Sequence, residues 1–78
     1  MNRVYIILKI LEIKYNFLPK DKRNAECKIR GVLKNNSEIE LLAYDKVADK
    51  CYRKLKKDKI VVIEGFLNSE MRIIILNF

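Results

Sequence analysis

The sequence predicts five strands with one helix between the third and fourth, an α+β or all-β design that a five-stranded barrel fits. Five segments alternate apolar and polar residues or form short β-branched runs, as strands do. One segment instead repeats apolar residues at helical spacing. The order of three strands, a helix and two strands fits an α+β or all-β design, including a barrel. With 78 residues, the chain is long enough for one small domain, so we expect a single domain over residues 1–78.

The first strand is predicted over residues 3–13, where apolar residues recur with period two. One face carries Val4, Ile6, Leu8 and Ile10, and the other carries Tyr5, Ile7, Lys9 and Leu11. The second face is unusually apolar for a surface in contact with water, which favours contact with a partner subunit. Residues 16–22, which surround the only proline, are predicted to form a loop.

The second strand is followed by a hairpin whose register sets the outward face. One side of this strand carries Ala25, Cys27, Ile29 and Gly31, and the other carries Glu26, Lys28 and Arg30. Residues 35–37 are predicted as a three-residue loop, because Asn tolerates the left-handed conformation and an odd loop keeps odd positions on one side. In the third strand, those odd positions are Ile39, Leu41 and Ala43. This register pairs Lys28 with Tyr44, Arg30 with Leu42, Val32 with Glu40 and Lys34 with Glu38.

The helix is predicted to begin at Asp45, which is a good N-cap residue. Its apolar stripe consists of Val47, Ala48, Cys51, Tyr52 and Leu55, so we expect Tyr52 in the core. Asp58 ends this segment, because Asp is one of the few residues other than Gly that tolerate a positive φ. The fourth and fifth strands are predicted at residues 60–63 and 72–76, with a turn at residues 68–70.

The composition is strongly basic, with a net charge of +7 and a pI near 9.6. Lysine and arginine displace condensed counterions from nucleic acids, so this charge favours a phosphate-bearing partner. A second explanation is a biased genome, because the chain holds 11 Ile, 12 Lys and 7 Asn, whose codons are rich in A and T. The charge alone therefore does not decide between these explanations.

Several classes of function find no support in the residues. The chain has no His, and Cys27 and Cys51 are 24 positions apart, which excludes the usual zinc spacings and His-based acid–base chemistry. Both thiols fall on apolar faces and are expected to behave as small hydrophobes in a reduced compartment. With two Gly and no Gly-rich phosphate loop, we expect no enzyme, no cofactor, no metal and no small-molecule substrate. The apolar N-terminal segment is too short to span a membrane.

Residues 44–67 carry the pattern of a known family. An aromatic residue, Tyr44, ends a strand; Lys46 opens a short helix; a basic pair that includes Lys57 closes it; and the next strand reads Ile-Glu-Gly-Phe-Leu at 63–67. This segment resembles the helix-to-strand core of bacterial single-stranded DNA-binding (SSB) proteins, and residues 1–7 are similar to their first strand. The small forms encoded in algal plastid genomes are the most similar, because they share the short loops.

The resemblance implies a five-stranded Greek-key barrel of the oligonucleotide-binding (OB) type, single-stranded DNA as ligand, and a homodimer or homotetramer. It also implies a role in plastid replication, repair or recombination, with the bacterial cytoplasm as the other expected location. Tyr44 matches an aromatic residue that stacks on DNA, and Lys46 and Lys57 match basic positions of the DNA path. Lys28, Arg30 and Arg3 lie on strands that would extend this cationic track. The other explanation of these residues is a supporting surface tyrosine and ordinary solvated cations.

The chain also departs from the family in ways that weaken the expected binding. It contains no Trp, and Glu38 stands at the position of a stacking Trp. The two long hairpins that carry further stacking residues are short here, and no acidic tail precedes Phe78. Each lost base contact is worth about 1–3 kcal/mol, so we expect weak binding per subunit. Two alternatives stay open: a protein-binding adaptor, which the acidic pair Glu38 and Glu40 favours, and an RNA-binding module.

Overall fold

The computed structural model describes residues 2–17 and 25–78, and their five strands close into a barrel. The elements are β1 (Arg3–Phe17), β2 (Ala25–Val32), β3 (Glu38–Tyr44), α1 (Asp45–Lys54), β4 (Ile60–Leu67) and β5 (Ile73–Asn77). The strand order around the barrel is β1-β2-β3-β5-β4. β3 and β5 pair in parallel, and the other neighbours are antiparallel. The predicted all-β OB architecture, with its helix between β3 and β4, is confirmed.

Strand β1 is long enough to pair with β4 through its first half and with β2 through its second half. Leu8 and Ile10 point into the core, as the period-two pattern predicts. An irregularity between Ile10 and Glu12 then shifts the register by one residue, so the inward positions that follow are odd. The strand continues through Phe17, so the prediction of a loop from residue 16 is wrong for its first two residues. The other residues of that predicted loop, 18–22, lie outside the described residues.

The β2–β3 hairpin has the predicted three-residue length but is centred one position earlier. The N–H of Leu33 donates to the carbonyl of Ser37, and the N–H of Asn36 donates to the carbonyl of Leu33. Asn36 has a φ of 68° and is therefore the left-handed last residue of the loop, a position that follows a type I turn. The loop is 34–36 rather than 35–37. As a result the whole predicted register is wrong by two residues, although odd positions still meet in the core.

The observed pairs are Glu26 with Tyr44, Lys28 with Leu42, Arg30 with Glu40 and Val32 with Glu38. The β4–β5 hairpin repeats the same geometry. The N–H of Asn68 donates to the carbonyl of Arg72, and Met71 occupies the left-handed position with a φ of 61°. This loop is therefore 69–71 rather than the predicted 68–70.

Gly65 lies at an irregularity in the β4–β5 pairing. A methyl group at this position would lie 2.6 Å from the carbonyl oxygen of Ile74. Because real Cβ atoms do not approach backbone oxygens so closely, a side chain there would push β5 away from β4. The glycine of the Ile-Glu-Gly segment therefore allows β4 and β5 to pair closely, as the closed barrel requires.

Helix α1 packs over the core through Ala48, Cys51 and Leu55, which follows its last turn. Three predictions for this helix are wrong. Tyr44, not Asp45, is the N-cap, and Asp45 has a φ of 54°, which a short polar side chain tolerates. Tyr52 is 59% exposed rather than buried, because it lies about 100° around the helix from Cys51. Asp58 has a φ of 68°, as predicted, but the helix ends at Lys54 and not at Asp58.

Candidate nucleic-acid interface

The outward side of β2 and β3 brings together three of the six predicted site residues, namely Lys28, Arg30 and Tyr44. We call it the sheet face; its members are Glu26, Lys28, Arg30, Val32, Glu38, Glu40, Leu42 and Tyr44. Parity places these even-numbered residues on one side of the two strands, opposite the buried odd ones. Leu42 is only 6% exposed and pairs with Ile74 of β5, so it presents almost no surface to a ligand.

Tyr44 is half-buried at the end of β3, where helix α1 begins. Its direct partner across the strands is Glu26, and not Lys28 as predicted. Lys28 is the diagonal neighbour, still within reach of a long side chain. The ammonium group of Lys28 lies 3.9 Å from a carboxylate oxygen of Glu26. The cation and the aromatic ring therefore remain neighbours, but a carboxylate lies beside both.

The arginine in the middle of the sheet face is held by carboxylates. Arg30 pairs with Glu38 of β3 and, at 3.5 Å, with Glu12 of β1. The hydrogen bond to Glu38 is the main cause that raises the pKa of Arg30. Arg72, which precedes β5, pairs with Glu40 in the same way. Each carboxylate that the sequence placed on this face thus neutralises a cation.

Arg3 lies elsewhere on the barrel. It is on the outward side of β1 where β1 meets β4, and its guanidinium group lies 2.6 Å from a carboxylate oxygen of Glu64. Tyr5 also donates a hydrogen bond to Glu64. The structure therefore does not bring Arg3 together with Lys28, Arg30 and Tyr44 on the sheet face.

The excess of positive charge belongs to helix α1 and the segment that follows it. Residues 45–59 hold seven Lys or Arg and three Asp, whereas residues 25–44 hold three of each sign. Lys46 and Lys57 are exposed, and neither forms an ion pair with another residue of ranges 2–17 and 25–78. These two predicted cations are available to a phosphate, in contrast to Arg30 and Arg3.

A pair of aromatic rings lies at the side of the helix. The rings of Tyr15 and Tyr52 have centroids 4.8 Å apart at an angle of 35°. The hydroxyl group of Tyr15 donates a hydrogen bond to Asp49, which raises the pKa of Tyr15. The sequence did indicate that Tyr52 lies outside the core, since Ala48, Cys51 and Leu55 already complete a core stripe at spacings of three and four.

Both cysteines are reduced and fully buried. Burial raises the pKa of Cys27 to about 11 and that of Cys51 to about 12, so neither thiol is a nucleophile near neutral pH. Within the described residues, no group of three or more His, Cys, Asp or Glu side chains is placed to hold a metal ion. The same part of the chain contains no helix with the length and hydropathy needed to cross a bilayer.

Comparison with known proteins identifies a solved structure with a similar fold. No family model matches the chain, and no curated protein matches it. Among solved structures, the chain is similar to the SSB domain of a protein from Synechococcus sp., with a TM-score of 0.77 and 16% sequence identity. The match covers 100% of this chain and 91% of the Synechococcus chain. The chain therefore has the SSB-like OB fold that the resemblance of residues 44–67 predicted.

Proposed function

We propose that the chain binds single-stranded DNA, through contacts to the phosphate backbone and limited base stacking centred on Tyr44. The observation that carries this proposal is the position of Tyr44, at the end of β3 with Lys28 diagonal to it across the strands and Lys46 two residues further on. An aromatic ring beside cations is what binding of single strands without sequence preference requires. The likeness to an SSB domain supports the same function.

The ion pairs on the sheet face set the strength of this binding. Exposed pairs of this kind contribute about 0–1 kcal/mol, so a DNA phosphate can replace Glu38 beside Arg30 or Glu26 beside Lys28. Each replacement releases a carboxylate that then repels the strand. We therefore expect weak binding by one subunit, and a strong dependence on salt.

Association of several copies would compensate for weak single sites. The outward side of β1 and β4 exposes a row of large apolar residues: Tyr5, Ile7, Ile60 and Val62 are all more than half exposed. Monomeric proteins rarely expose such a row, which supports a homodimer or homotetramer formed through it. Linked sites raise the effective concentration of the second contact.

The proposed setting is the plastid, in replication, repair or recombination of its DNA. The support for this is compositional: the many Ile, Lys and Asn residues are those of an AT-rich genome, and the two hairpins are short.

A second candidate function is that of an adaptor that binds protein. The observation that favours it is the balance of charge on the sheet face, where Glu38 and Glu40 neutralise Arg30 and Arg72. A surface whose charges are already paired is better suited to a protein partner than to a phosphate backbone.

The experiment that tests the Tyr44 mechanism compares Tyr44→Ala with Tyr44→Phe. Both variants and the wild-type protein are titrated with a labelled oligothymidylate and with an RNA oligomer of equal length. If Tyr44 stacks on a base, the Ala variant loses about 1–3 kcal/mol of binding free energy and the Phe variant loses little. Equal affinity of all three proteins would reject stacking at Tyr44. Tighter binding of RNA than of DNA would favour the RNA-binding alternative, and no binding at low salt would favour the adaptor.

A further inference from the structure

Tyr52 presents an aromatic ring that is both exposed and held in place. It lies on the side of helix α1, 59% exposed, and the ring of Tyr15 supports it at 4.8 Å. Tyr15 is itself fixed, because its hydroxyl group donates a hydrogen bond of 2.5 Å to Asp49. A ring that is ordered before binding loses little conformational freedom when a ligand stacks on it.

The pair borders an open pocket between the helix and the end of β1. The pocket is lined by Tyr15, Asp49, Tyr52 and Arg53 and has a volume of about 490 Å³. Phe17, two residues beyond Tyr15 on β1, is 65% exposed. Aromatic side chains of this kind normally bury themselves or meet a ligand, so this end of the barrel offers an unusual amount of exposed ring surface.

The surroundings of the pair favour a polyanion. Tyr52 lies within the segment 45–59, which holds seven of the chain's seventeen Lys and Arg, and Arg53 lines the pocket itself. The acidic group at this place, Asp49, is engaged by the Tyr15 hydroxyl. On the sheet face, by contrast, Arg30 and Arg72 are paired with carboxylates.

We propose that the Tyr15–Tyr52 pair is a second base-stacking platform, on which a strand bound at Tyr44 continues over helix α1. Tyr52 is eight residues beyond Tyr44, about 12 Å along the helix axis, a distance that a few nucleotides bridge. Arg53 contacts the phosphate that accompanies the stacked base. This inference rests on the proposed binding of single strands and extends it to a site off the sheet face.

The test uses two variants of Tyr52 and the wild-type protein. Tyr52→Phe keeps the ring, whereas Tyr52→Leu keeps only apolar bulk. We expect Tyr52→Leu to bind an oligothymidylate of about 16 nucleotides 5- to 150-fold more weakly, as the loss of one stacked base implies, and Tyr52→Phe to bind as the wild type does. Thermal unfolding of both variants is the control for folding.

A second measurement needs no variant and separates binding from a merely structural role of the pair. Wild-type protein is irradiated in complex with an oligonucleotide that contains 5-iodouracil, and the crosslinked peptides are identified. We expect crosslinks at Tyr52 as well as at Tyr44. Crosslinks at Tyr44 alone, with Tyr52→Leu binding as tightly as Tyr52→Phe, would overturn the second platform and leave the proposed function intact. Failure of the wild type to bind any single strand would reject both.

Discussion

Arg30 and Glu38 form an ion pair on the sheet face, beside the β2–β3 hairpin. The ion pair is exposed and joins β2 to β3 diagonally, because the residue directly opposite Arg30 is Glu40 and Glu38 lies two residues before it. It gives Glu38 a role that the sequence comparison alone does not suggest. The carboxylate of Glu38 pairs with the guanidinium group of Arg30, which a phosphate would otherwise contact.

Glu38→Gln should therefore strengthen the binding of single strands. The change removes a negative charge from the sheet face and leaves Arg30 with Glu12 as its one remaining carboxylate partner among those described. We expect a gain of about 0.5–1 kcal/mol, or two- to fivefold in affinity. The measurement is a titration with oligothymidylate at low salt.

The matched control is Asp58→Asn, which removes one carboxylate outside the sheet face and keeps a residue that tolerates the positive φ of this turn. An equal gain from Asp58→Asn would show that net charge, and not the release of Arg30, is responsible.

Met71→Asn should stabilise the protein. Met71 is 75% exposed and has a φ of 61°, a left-handed conformation that is strained for most residues but common for Asn. We expect a gain of about 0.5–1 kcal/mol in the free energy of unfolding, measured by urea denaturation. Met71→Leu has the same backbone strain and serves as the control. If Met71→Leu gains as much as Met71→Asn, strain at this position is not the cause.

The two buried thiols should make stability fall at high pH. Burial raises the pKa of Cys27 to about 11 and that of Cys51 to about 12, from an ordinary value of 9.0. The folded state therefore holds these protons more tightly than the unfolded state does. Their stabilisation is complete below pH 9.0 and is lost as the pH rises through the raised values.

We expect the free energy of unfolding to decrease between pH 9 and about 11 to 12, as followed by urea denaturation at each pH. Because Lys and Tyr residues titrate in the same range, the control is the double variant Cys27→Ala, Cys51→Ala. It should be less stable at neutral pH, but its stability should depend less steeply on alkaline pH. Parallel curves for the two proteins would exclude the thiols as the cause.

The sequence carries much of the fold, because burial patterns repeat along single elements. Leu8 and Ile10 in β1, and Ala48 and Cys51 in α1, are buried as their spacing predicts. The register of a hairpin depends on finer information, namely which residue takes the left-handed position. The predicted loop 35–37 would place Ser37 in this position, whereas Asn36 takes it. Glu26, and not Lys28, therefore lies opposite Tyr44.

The candidate site was harder to predict than the fold, because its contacts join residues that are distant in sequence. Arg3 and Glu64 are 61 positions apart, and Tyr15 and Asp49 are 34 apart. The alternation of apolar and polar residues along one strand does not indicate which distant residues will pair. The closure of the barrel creates them. The ion pairs of the predicted cations and the contact between the Tyr15 and Tyr52 rings therefore became visible only in three dimensions.

The most direct test of the central claim is the affinity of the wild-type protein for an oligothymidylate and for a DNA duplex of equal length, each at two salt concentrations. We expect tighter binding of the single strand, because only unpaired bases can stack on Tyr44. We also expect a clear loss of affinity with salt, because phosphate contacts release counterions. Equal affinity for single strand and duplex, or binding that salt does not weaken, would contradict it.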